Sequence, residues 1–340
     1  MLLYYAKLSN HRFRVLSGAR RPWTSGEVMS CRRKRGDVLI SVIVCTYNRA
    51  PILQRMLESF FEQEYLGESD YELIIVDNNS RDETRSVVDK YPNPNLRYVF
   101  EQRQGLNIAR NRGVAESKGD IVAFLDDDVI VDKKWLKNLK GCFEETKADA
   151  VGGRAYLIFE KEPPNWLGPE FRIFLSQVDF GDRRQFLSNG SGLWGLNLSF
   201  RRSAIEAAGG FDEKIDRCGS QMLSGGDTCL LGKIIFFGKK IVYEPEAVVG
   251  HMISSKRLEW EYFVAHAIGI GQTQALCDTR CKKGYQIMRV GNALKMYLGS
   301  TFNLLKTNLT GESICEKKLA KWKVIKERSF FAARWKELWC

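Results

Sequence analysis

Short apolar runs alternate with helical patterns through the first part of the chain. The runs are brief and rich in branched and aromatic side chains, which is typical of buried strands. We expect such strands at 39–47, 71–76, 96–100 and 120–124. Helical patterns lie between them, at 52–64 and 105–113. This alternation predicts an α/β fold with a mixed, mostly parallel, doubly wound sheet flanked by helices.

The pattern becomes less regular after the fourth run. It predicts helices at 135–145, 202–208 and 228–237, and strands at 150–159, 195–200, 240–243 and 247–250. Residues 160–194 hold prolines, glycines and aromatic residues without a clear period, which favours a binding wall over a regular element. From residue 258 onward the chain is predicted to be helical.

Two polar positions have the spacing of helix start signals. Ser80 with Glu83 three residues later is typical of a capping box, which predicts a helix start just after the second strand. Asp132 suits the cap of the helix around Trp135.

Three consecutive carboxylates, Asp126, Asp127 and Asp128, follow the fourth predicted strand. In open α/β sheets the ligand crevice lies outside the carboxyl ends of the strands. Like charges this close are costly unless a cation or solvent compensates them. Mg²⁺ and Mn²⁺ bind through one or two carboxylates together with substrate phosphates. The cluster therefore predicts a metal–diphosphate site, and the alternative is a solvated Asp turn.

Four further positions are candidates, each with an ordinary structural alternative. Asp77 ends the second predicted strand, where a carboxylate can bind a base or ribose or close an Asx turn. Arg110 lies on a predicted helix and can pair with the acids or with phosphate, or stay solvated. Asp227 precedes a predicted helix, where it can also serve as a cap. His251 directly follows a predicted strand, although a lone histidine is more often structural than a ligand.

Composition and charge narrow the class of protein. The chain has 340 residues, 44% hydrophobic and 27% charged, which suits a large globular domain with an appendage. The net charge of +11 is concentrated at 1–37 and 316–340, while the body between them is nearly neutral. A nucleic-acid-binding protein would carry its charge on the folded face, so we expect no nucleic-acid partner. Basic ends with interleaved aromatic residues fit a membrane surface better.

The two ends are predicted to differ from the body. We expect a poorly ordered basic tail at 1–37 and an amphipathic basic helical extension at 276–340. Its last part, 316–339, is typical of a helix lying in a membrane interface, and the alternative is a helix packed on its own domain. Nine scattered cysteines indicate reduced thiols. With no apolar stretch long enough to span a bilayer, we expect a cytoplasmic protein, peripheral on the inner membrane face.

Eight motifs, in order, resemble the family-2 glycosyltransferases. They are SVIVCTYNR (41–49), LIIVDNNSRDET (73–84), GLNIARNRG (105–113), IVAFLDDDV (121–129), GLNLSFRR (195–202), GGFDE (209–213), SGGDTCL (224–230) and YEPEAVVGH (243–251). The resemblance covers about residues 38–275 and implies a GT-A fold, with a nucleotide-binding half at about 38–130 and an acceptor half at about 131–275. It also implies inverting transfer of a sugar from a UDP- or GDP-linked donor to a glycan or lipid-linked acceptor.

The resemblance assigns roles residue by residue. Nucleotide contacts are expected from Thr46, Asn48, Asp77, Arg110, Asp126 and Asp127. A divalent metal, Mn²⁺ or Mg²⁺, is expected at Asp128, with Asp126 and His251 as further contacts. Asp227 is expected to be the catalytic base. Acceptor contacts are expected at Trp194, Asn197 and Gly226.

One position departs from the family pattern, because the Glu that precedes the catalytic Asp is Gly226 here. The departure leaves the level of activity and the type of acceptor open. It also motivates one alternative, a non-catalytic nucleotide-sugar-binding or scaffold protein. A second alternative is a sugar nucleotidyltransferase, which also uses metal and nucleotide. The first strand, however, ends in TYNRAP and not in a Gly-rich phosphate loop.

Overall fold

The computed structural model describes residues 38–64, 70–188, 192–215, 223, 225–278, 283–310 and 312–339. The expectation of a poorly ordered tail at 1–37 therefore lies outside the described residues.

The strands of the described chain form one mixed nine-stranded sheet. They are β1 (Ile40–Thr46), β2 (Tyr71–Asp77), β3 (Leu96–Phe100), β4 (Ile121–Asp126), β5 (Val129–Val131), β6 (Ala150–Phe159), β7 (Gln185–Leu187), β8 (Asn197–Arg201) and β9 (Ile241–Ile253). Their order is β3-β2-β1-β4-β8-β6-β9-β5, and β7 pairs with β9. The fold class predicted from the sequence is confirmed, although parallel and antiparallel pairings are equally frequent over the whole sheet.

The α-helices of the described chain flank this sheet or follow it. They are α1 (Ala50–Phe60), α2 (Thr84–Asp89), α3 (Leu106–Glu116), α4 (Trp135–Thr146), α5 (Pro169–Arg172), α6 (Arg202–Ala208), α7 (Gly226–Phe236), α8 (Trp260–Asp278), α9 (Lys283–Leu309) and α10 (Ile314–Trp339). Short 3₁₀ turns at Ile173–Leu175 and Ser255–Leu258 join them.

The first four long strands form the parallel part of the sheet. Strands β1, β2 and β4 consist almost entirely of buried apolar residues, as expected for strands covered on both faces. Strand β1 lies between β2 and β4, with Thr46 opposite Asp77 and Cys45 opposite Asp126. Since β2 and β4 leave β1 on opposite sides, the chain reverses its winding here, and the carboxyl ends of these strands border one crevice.

Strand β9 corrects the two short strands predicted at 240–243 and 247–250. It runs without a break over Ile241–Ile253 and pairs in parallel with β6. The pairing register of β6 with β9 shifts between two consecutive residues: Gly153 lies opposite Glu244, and Arg154 lies opposite Val248. The three extra residues of β9 form a bulge that accommodates Pro245, a residue that would otherwise interrupt a strand ladder.

The predicted capping box is also corrected. Helix α2 begins only at Thr84, and Glu83 is its first flanking residue. The Ser80 hydroxyl instead accepts a hydrogen bond from the Asn48 backbone N–H at 2.9 Å. Asp82 instead bonds to the start of the helix, since its Oδ1 accepts a hydrogen bond from the Thr84 backbone N–H at 3.1 Å.

The C-terminal helices are packed on the domain. Helix α8 ends at Asp278 and so crosses the boundary predicted between 275 and 276. Trp322 of α10 is buried and stacks on Phe174 with ring centroids 4.2 Å apart. This contact favours the packed alternative over the interfacial one for this part of α10. Within the described ranges, no helix combines the length and the apolar composition needed to cross a bilayer.

Candidate active site

The three carboxylates lie where the sequence predicts, at the end of β4. Asp126 closes the strand, and Asp127 and Asp128 form the tight turn into β5. Asp127 and Asp128 are buried, whereas Asp126 is partly exposed toward the crevice. The structure therefore excludes the solvated Asp turn.

Asp127 is held by residues at the end of β1. Its Oδ2 accepts a hydrogen bond from the Thr46 hydroxyl at 2.8 Å, and its Oδ1 pairs with Arg49 at 2.5 Å. Burial raises the pKa of Asp127 to about 7, although Arg49 and Thr46 act in the opposite direction. Thr46, predicted as a nucleotide contact, therefore holds the Asp127 carboxylate in place through this hydrogen bond.

Asp128 is surrounded by cationic side chains. Its Oδ2 lies 3.1 Å from Arg49 Nη2 and 3.0 Å from Arg257 Nη2. Burial favours the neutral acid, but the guanidinium groups of Arg257 and Arg49 outweigh it and hold the pKa of Asp128 well below its usual range. Asp128 is therefore a carboxylate at neutral pH.

His251 faces this carboxylate through a nitrogen that carries no proton. Its Nδ1 lies 2.8 Å from the Leu175 carbonyl, which can only accept, so Nδ1 is the protonated nitrogen. Its Nε2 then accepts a hydrogen bond from Arg257 Nη1 at 2.7 Å. The same Nε2 lies 3.4 Å from Asp128 Oδ1. Two hydrogen-bond acceptors therefore face each other across the site.

Asp128 Oδ1 is buried and has no hydrogen-bond partner among the described residues. A buried carboxylate oxygen beside an imidazole nitrogen fits a divalent cation, which accepts both ligand types. Such a cation would replace Arg257 as the partner of Nε2. No group of three or more His, Cys, Asp and Glu side chains is placed to hold a metal in the described part of the chain. The pair therefore fits a cation whose remaining ligands come from a substrate diphosphate and water.

Arg110 joins the acid cluster to Asp227. Its Nη2 lies 3.7 Å from Asp126 Oδ1, and its Nη1 lies 3.8 Å from Asp227 Oδ1. The guanidinium is buried and lies over the ring of Phe211, 5.3 Å from the centroid. Burial raises the pKa of Asp126 despite the opposing effect of Arg110. The predicted pairing of Arg110 with the acids is thus present, and its second partner is the predicted base.

Asp227 lies in the first turn of α7 and points away from its own helix. Its Oδ2 accepts a hydrogen bond from the Gly195 backbone N–H at 2.6 Å. Helix α7 has no side-chain cap at its N-terminus, so capping is not the role of Asp227. The close approach of the backbone at position 195 to Asp227 requires glycine, because a Cβ there would lie 2.9 Å from Arg110 Cζ and 3.1 Å from Asp227 Oδ2.

The residues predicted to contact the base form the outer rim. Asp77 is buried, with Oδ1 accepting from the Ser80 N–H at 2.8 Å and Oδ2 from the Tyr98 hydroxyl at 2.6 Å. Only the remaining lone pairs of Asp77 are left for a ligand. Asn48 is exposed, adopts a left-handed φ of 51°, and its Oδ1 accepts from the Arg81 N–H at 2.7 Å.

The three predicted acceptor residues differ from one another. Asn197 is buried, and its amide bonds to Trp135 Nε1, the Arg154 carbonyl and the Ala247 carbonyl at 2.8, 2.9 and 2.8 Å. Both N–H groups of Asn197 are thus used inside the sheet, which gives it a structural role. Trp194 is half-buried, and its Nε1 has no hydrogen-bond partner among the described residues. That nitrogen is itself buried, so only the exposed part of the Trp194 ring is open to a ligand.

Gly226 is buried against the side chain of Asn107. A Cβ at Gly226 would lie 2.6 Å from Asn107 Nδ2 and 2.9 Å from Cγ. Asn107 Nδ2 in turn donates to the carbonyls of Asp212 and Ile215, at 3.0 and 2.5 Å. The place of a side chain at position 226 is therefore taken by Asn107.

Sequence reasoning missed three members of the site: Arg49, Arg257 and Asn107. Arg49 follows the TYN end of β1 directly, and this adjacency was the available signal. Arg257 lies in a 3₁₀ turn after β9, far from the acids along the chain, so no sequence pattern connected it with them. Asn107 lies within the GLNIARNRG motif but acts through its contact with the start of α7.

Comparison with known proteins identifies sequence relatives of this chain. The family model described as glycosyl transferase family 2 matches residues 41–209. The chain is 26% identical over 247 residues to a glucosyl-dolichyl phosphate glucuronosyltransferase of Haloferax volcanii, covering 70% of this chain and 77% of that protein. It is 30% identical over 191 residues to the glycosyltransferase AglE of the same organism, covering 55% of this chain and 58% of AglE.

A solved structure extends the likeness to the fold. The mannosyltransferase PcManGT of Pyrobaculum calidifontis, solved with GDP-Man and Mn²⁺, superimposes with a TM-score of 0.56 at 20% identity. The superposition covers 99% of this chain and 94% of the other. At this identity the likeness shows a shared GT-A fold and nothing about substrate.

Proposed function

Residues 41–209 belong to glycosyl transferase family 2, and we propose that this chain, a glycosyltransferase using a nucleotide-sugar donor, works by inverting transfer. In this reaction an acceptor hydroxyl attacks the sugar, the bond from the sugar to the diphosphate breaks, and the diphosphate leaves with the bonding electrons. The hydroxyl proton passes to a carboxylate. The alternative of a sugar nucleotidyltransferase receives no support from the family match.

The proposal rests mainly on the position of Arg110, which lies between two carboxylates in different environments. On one side lies Asp126 of the acid cluster, and on the other lies Asp227. The acid cluster is bordered by Arg49 and Arg257, guanidinium groups suited to a diphosphate. A diphosphate beside the cluster would place the sugar toward Asp227.

We assign the metal to Asp128 and His251, because the buried Asp128 Oδ1 has no hydrogen-bond partner among the described residues and lies 3.4 Å from His251 Nε2. A divalent cation bound there supplies a Lewis acid for the negative charge that develops on the leaving diphosphate. Asp126 pairs with Arg110 and is a weaker candidate ligand. Arg49 and Arg257 stabilise the same charge from the protein.

We assign the role of general base to Asp227. Its carboxylate is oriented by the Gly195 N–H and by Arg110, which leaves lone pairs on both oxygens for the acceptor hydroxyl. A single carboxylate on the attacking side matches direct displacement with inversion. This differs from glycoside hydrolysis, in which two carboxylates flank the bond. The half-buried ring of Trp194 is our candidate contact for the acceptor.

For the acceptor we propose a lipid-linked glycan or lipid phosphate at the cytoplasmic membrane face. The dolichyl phosphate in the name of the Haloferax volcanii relative supports this class. The basic charge concentrated at both ends of the chain supports contact with an anionic surface.

Donor binding gives the direct test. Purified protein is titrated with UDP- and GDP-sugars, with and without Mn²⁺ or Mg²⁺, while thermal stability and release of nucleoside diphosphate are followed. Because the described residues bring no three His, Cys, Asp or Glu side chains together as a metal site, we expect stabilisation by metal only when a nucleotide is also present. Asp128→Asn and His251→Ala should remove this metal-dependent stabilisation.

Two variants separate binding from chemistry. Asp132→Asn is the matched control, since Asp132 is an exposed carboxylate just beyond the cluster, and it should behave as wild type. Asp227→Asn should keep donor binding and lose about 10²–10⁴-fold in sugar transfer. Full turnover in Asp128→Asn, or no nucleotide binding by the wild type, would contradict the proposal. The second result would favour the scaffold alternative.

A further inference from the structure

We propose that the outer face of α9 is a docking surface for an anionic lipid bilayer. The face carries five apolar side chains, here named the α9 stripe: Leu294, Leu298, Phe302, Leu305 and Leu309. Their exposed fractions are 39%, 57%, 72%, 58% and 86%. They recur at intervals of three or four residues, so they share one side of the helix. At 1.5 Å per residue the stripe is roughly 22 Å long.

The opposite side of α9 faces the protein. Ala293 is fully buried and packs with Ala275 of α8 and Phe330 of α10. Thr307, almost four turns further on, is buried as well. The side of α9 that faces the domain includes the half-buried Leu304 as well as Ala293 and Thr307, while the five residues of the stripe face outward. A contiguous exposed apolar stripe of this kind marks an interaction site.

Charge indicates the occupant. Lys295 and Lys306 are exposed and follow stripe residues directly. They are about three helical turns apart, so both lie along the same edge of the stripe. A row of lysines beside an apolar face is the arrangement that inserts into acyl chains while binding anionic headgroups. A second copy of this chain would instead bring an identical lysine-edged stripe against the first.

The inference deepens the proposed function and rests on it in one respect, the lipid-linked acceptor. An enzyme with such an acceptor gains effective concentration by residing on the bilayer. The inference also moves the membrane contact away from 316–339, where the sequence placed it. In that segment Trp322 and Phe330 are buried inside the protein.

Flotation with vesicles tests the surface in the intact chain. Vesicles of phosphatidylcholine alone, or mixed with phosphatidylglycerol, are compared at low and high salt. We expect the wild type to float with the anionic vesicles at low salt. The triple variant Leu298→Gln, Phe302→Gln, Leu305→Gln should bind about 100-fold more weakly, because it removes three inserting side chains. The double variant Lys295→Gln, Lys306→Gln should lose about tenfold, on anionic vesicles only.

Two single variants serve as matched controls. Trp335→Gln removes an exposed aromatic residue of α10, and Phe186→Gln removes one from β7. Both should float like the wild type. All variants should keep the thermal stability of the wild type, because the replaced side chains are exposed.

Three flotation results would overturn the proposal: no flotation of the wild type, equal flotation of the triple variant and the wild type, or loss of flotation in Trp335→Gln. A wild-type dimer that the triple variant converts to a monomer, measured by light scattering, would also overturn it and assign the stripe to a second copy. Flotation needs no turnover. It can therefore fail while donor binding and the Asp128→Asn result stand, and the reverse also holds.

Discussion

Replacing Gly226 by alanine should displace the buried amide of Asn107. An added Cβ would lie 2.6 Å from Asn107 Nδ2 and 2.9 Å from Cγ, distances that real Cβ contacts do not show. Gly225 and not Gly226 has the left-handed φ, at 132°, so the constraint at 226 is space. Asn107 can yield only by leaving the carbonyls of Asp212 and Ile215.

The magnitude follows from these contacts. Overpacking a buried position costs about 1–3 kcal/mol. Each lost hydrogen bond adds about 1 kcal/mol. The better helix propensity of alanine returns less than about 1 kcal/mol, because the position is in the first turn of α7. Together these contributions predict that Gly226→Ala lowers the free energy of unfolding by about 2–5 kcal/mol.

Urea unfolding of a double-mutant cycle is the assay. Asn107→Ala alone leaves two carbonyls without their partner and should cost about 2 kcal/mol. The double variant should cost about 3–5 kcal/mol less than the sum of the single variants, because the new Cβ then meets no amide and breaks no further hydrogen bonds. Gly232→Ala is the matched control on the same helix. No heavy atom lies within 4 Å of its added Cβ, so it should be neutral or slightly stabilising.

The predicted clash is refuted if Gly226→Ala is as stable as Gly232→Ala, or if the cycle is additive. A confirmed clash would also be relevant to the absence of the family glutamate at position 226. A longer side chain needs a larger displacement of Asn107, so Gly226→Glu should reduce sugar transfer. The glycine and the asparagine would then be a matched pair, and the departure at 226 would not indicate a dead enzyme.

Two further predictions concern the same half of the protein. Gly195→Ala should lower kcat/KM for sugar transfer about 100-fold, because its Cβ pushes Arg110 away from Asp227; unchanged kinetics in a folded variant would refute the close approach. Asn197→Ala should lower the free energy of unfolding by about 2–4 kcal/mol through three lost buried hydrogen bonds, with transfer per folded molecule unchanged. A stable but inactive Asn197→Ala would instead return this residue to the acceptor site.

Local patterns were sufficient for the parallel part of the sheet. The strands at 40–46, 71–77 and 121–126 are short runs of apolar residues, and their polar tips follow from where each run ends. Since parallel strands align their carboxyl ends, the placement of Asp77 and the acid cluster at the same edge of the sheet needed only the order of elements. Motif order added Asp227 and His251, which the fold brings to the same crevice as Arg110 and Asp128.

The sequence by itself determined the family, the strand tips and the acidic cluster, because these depend on periodicity and motifs close in the chain. Tertiary structure decided which protein groups compensate the cluster. Arg257 reaches Asp128 from a turn after β9, and the unprotonated nitrogen of His251 is set by a carbonyl at Leu175. It also decided that the side-chain amide of Asn197 is used inside the sheet and that the leucine-rich side of α9 points outward. A helical period shows which residues share a face, but only the neighbours that pack against the helix determine which face is buried.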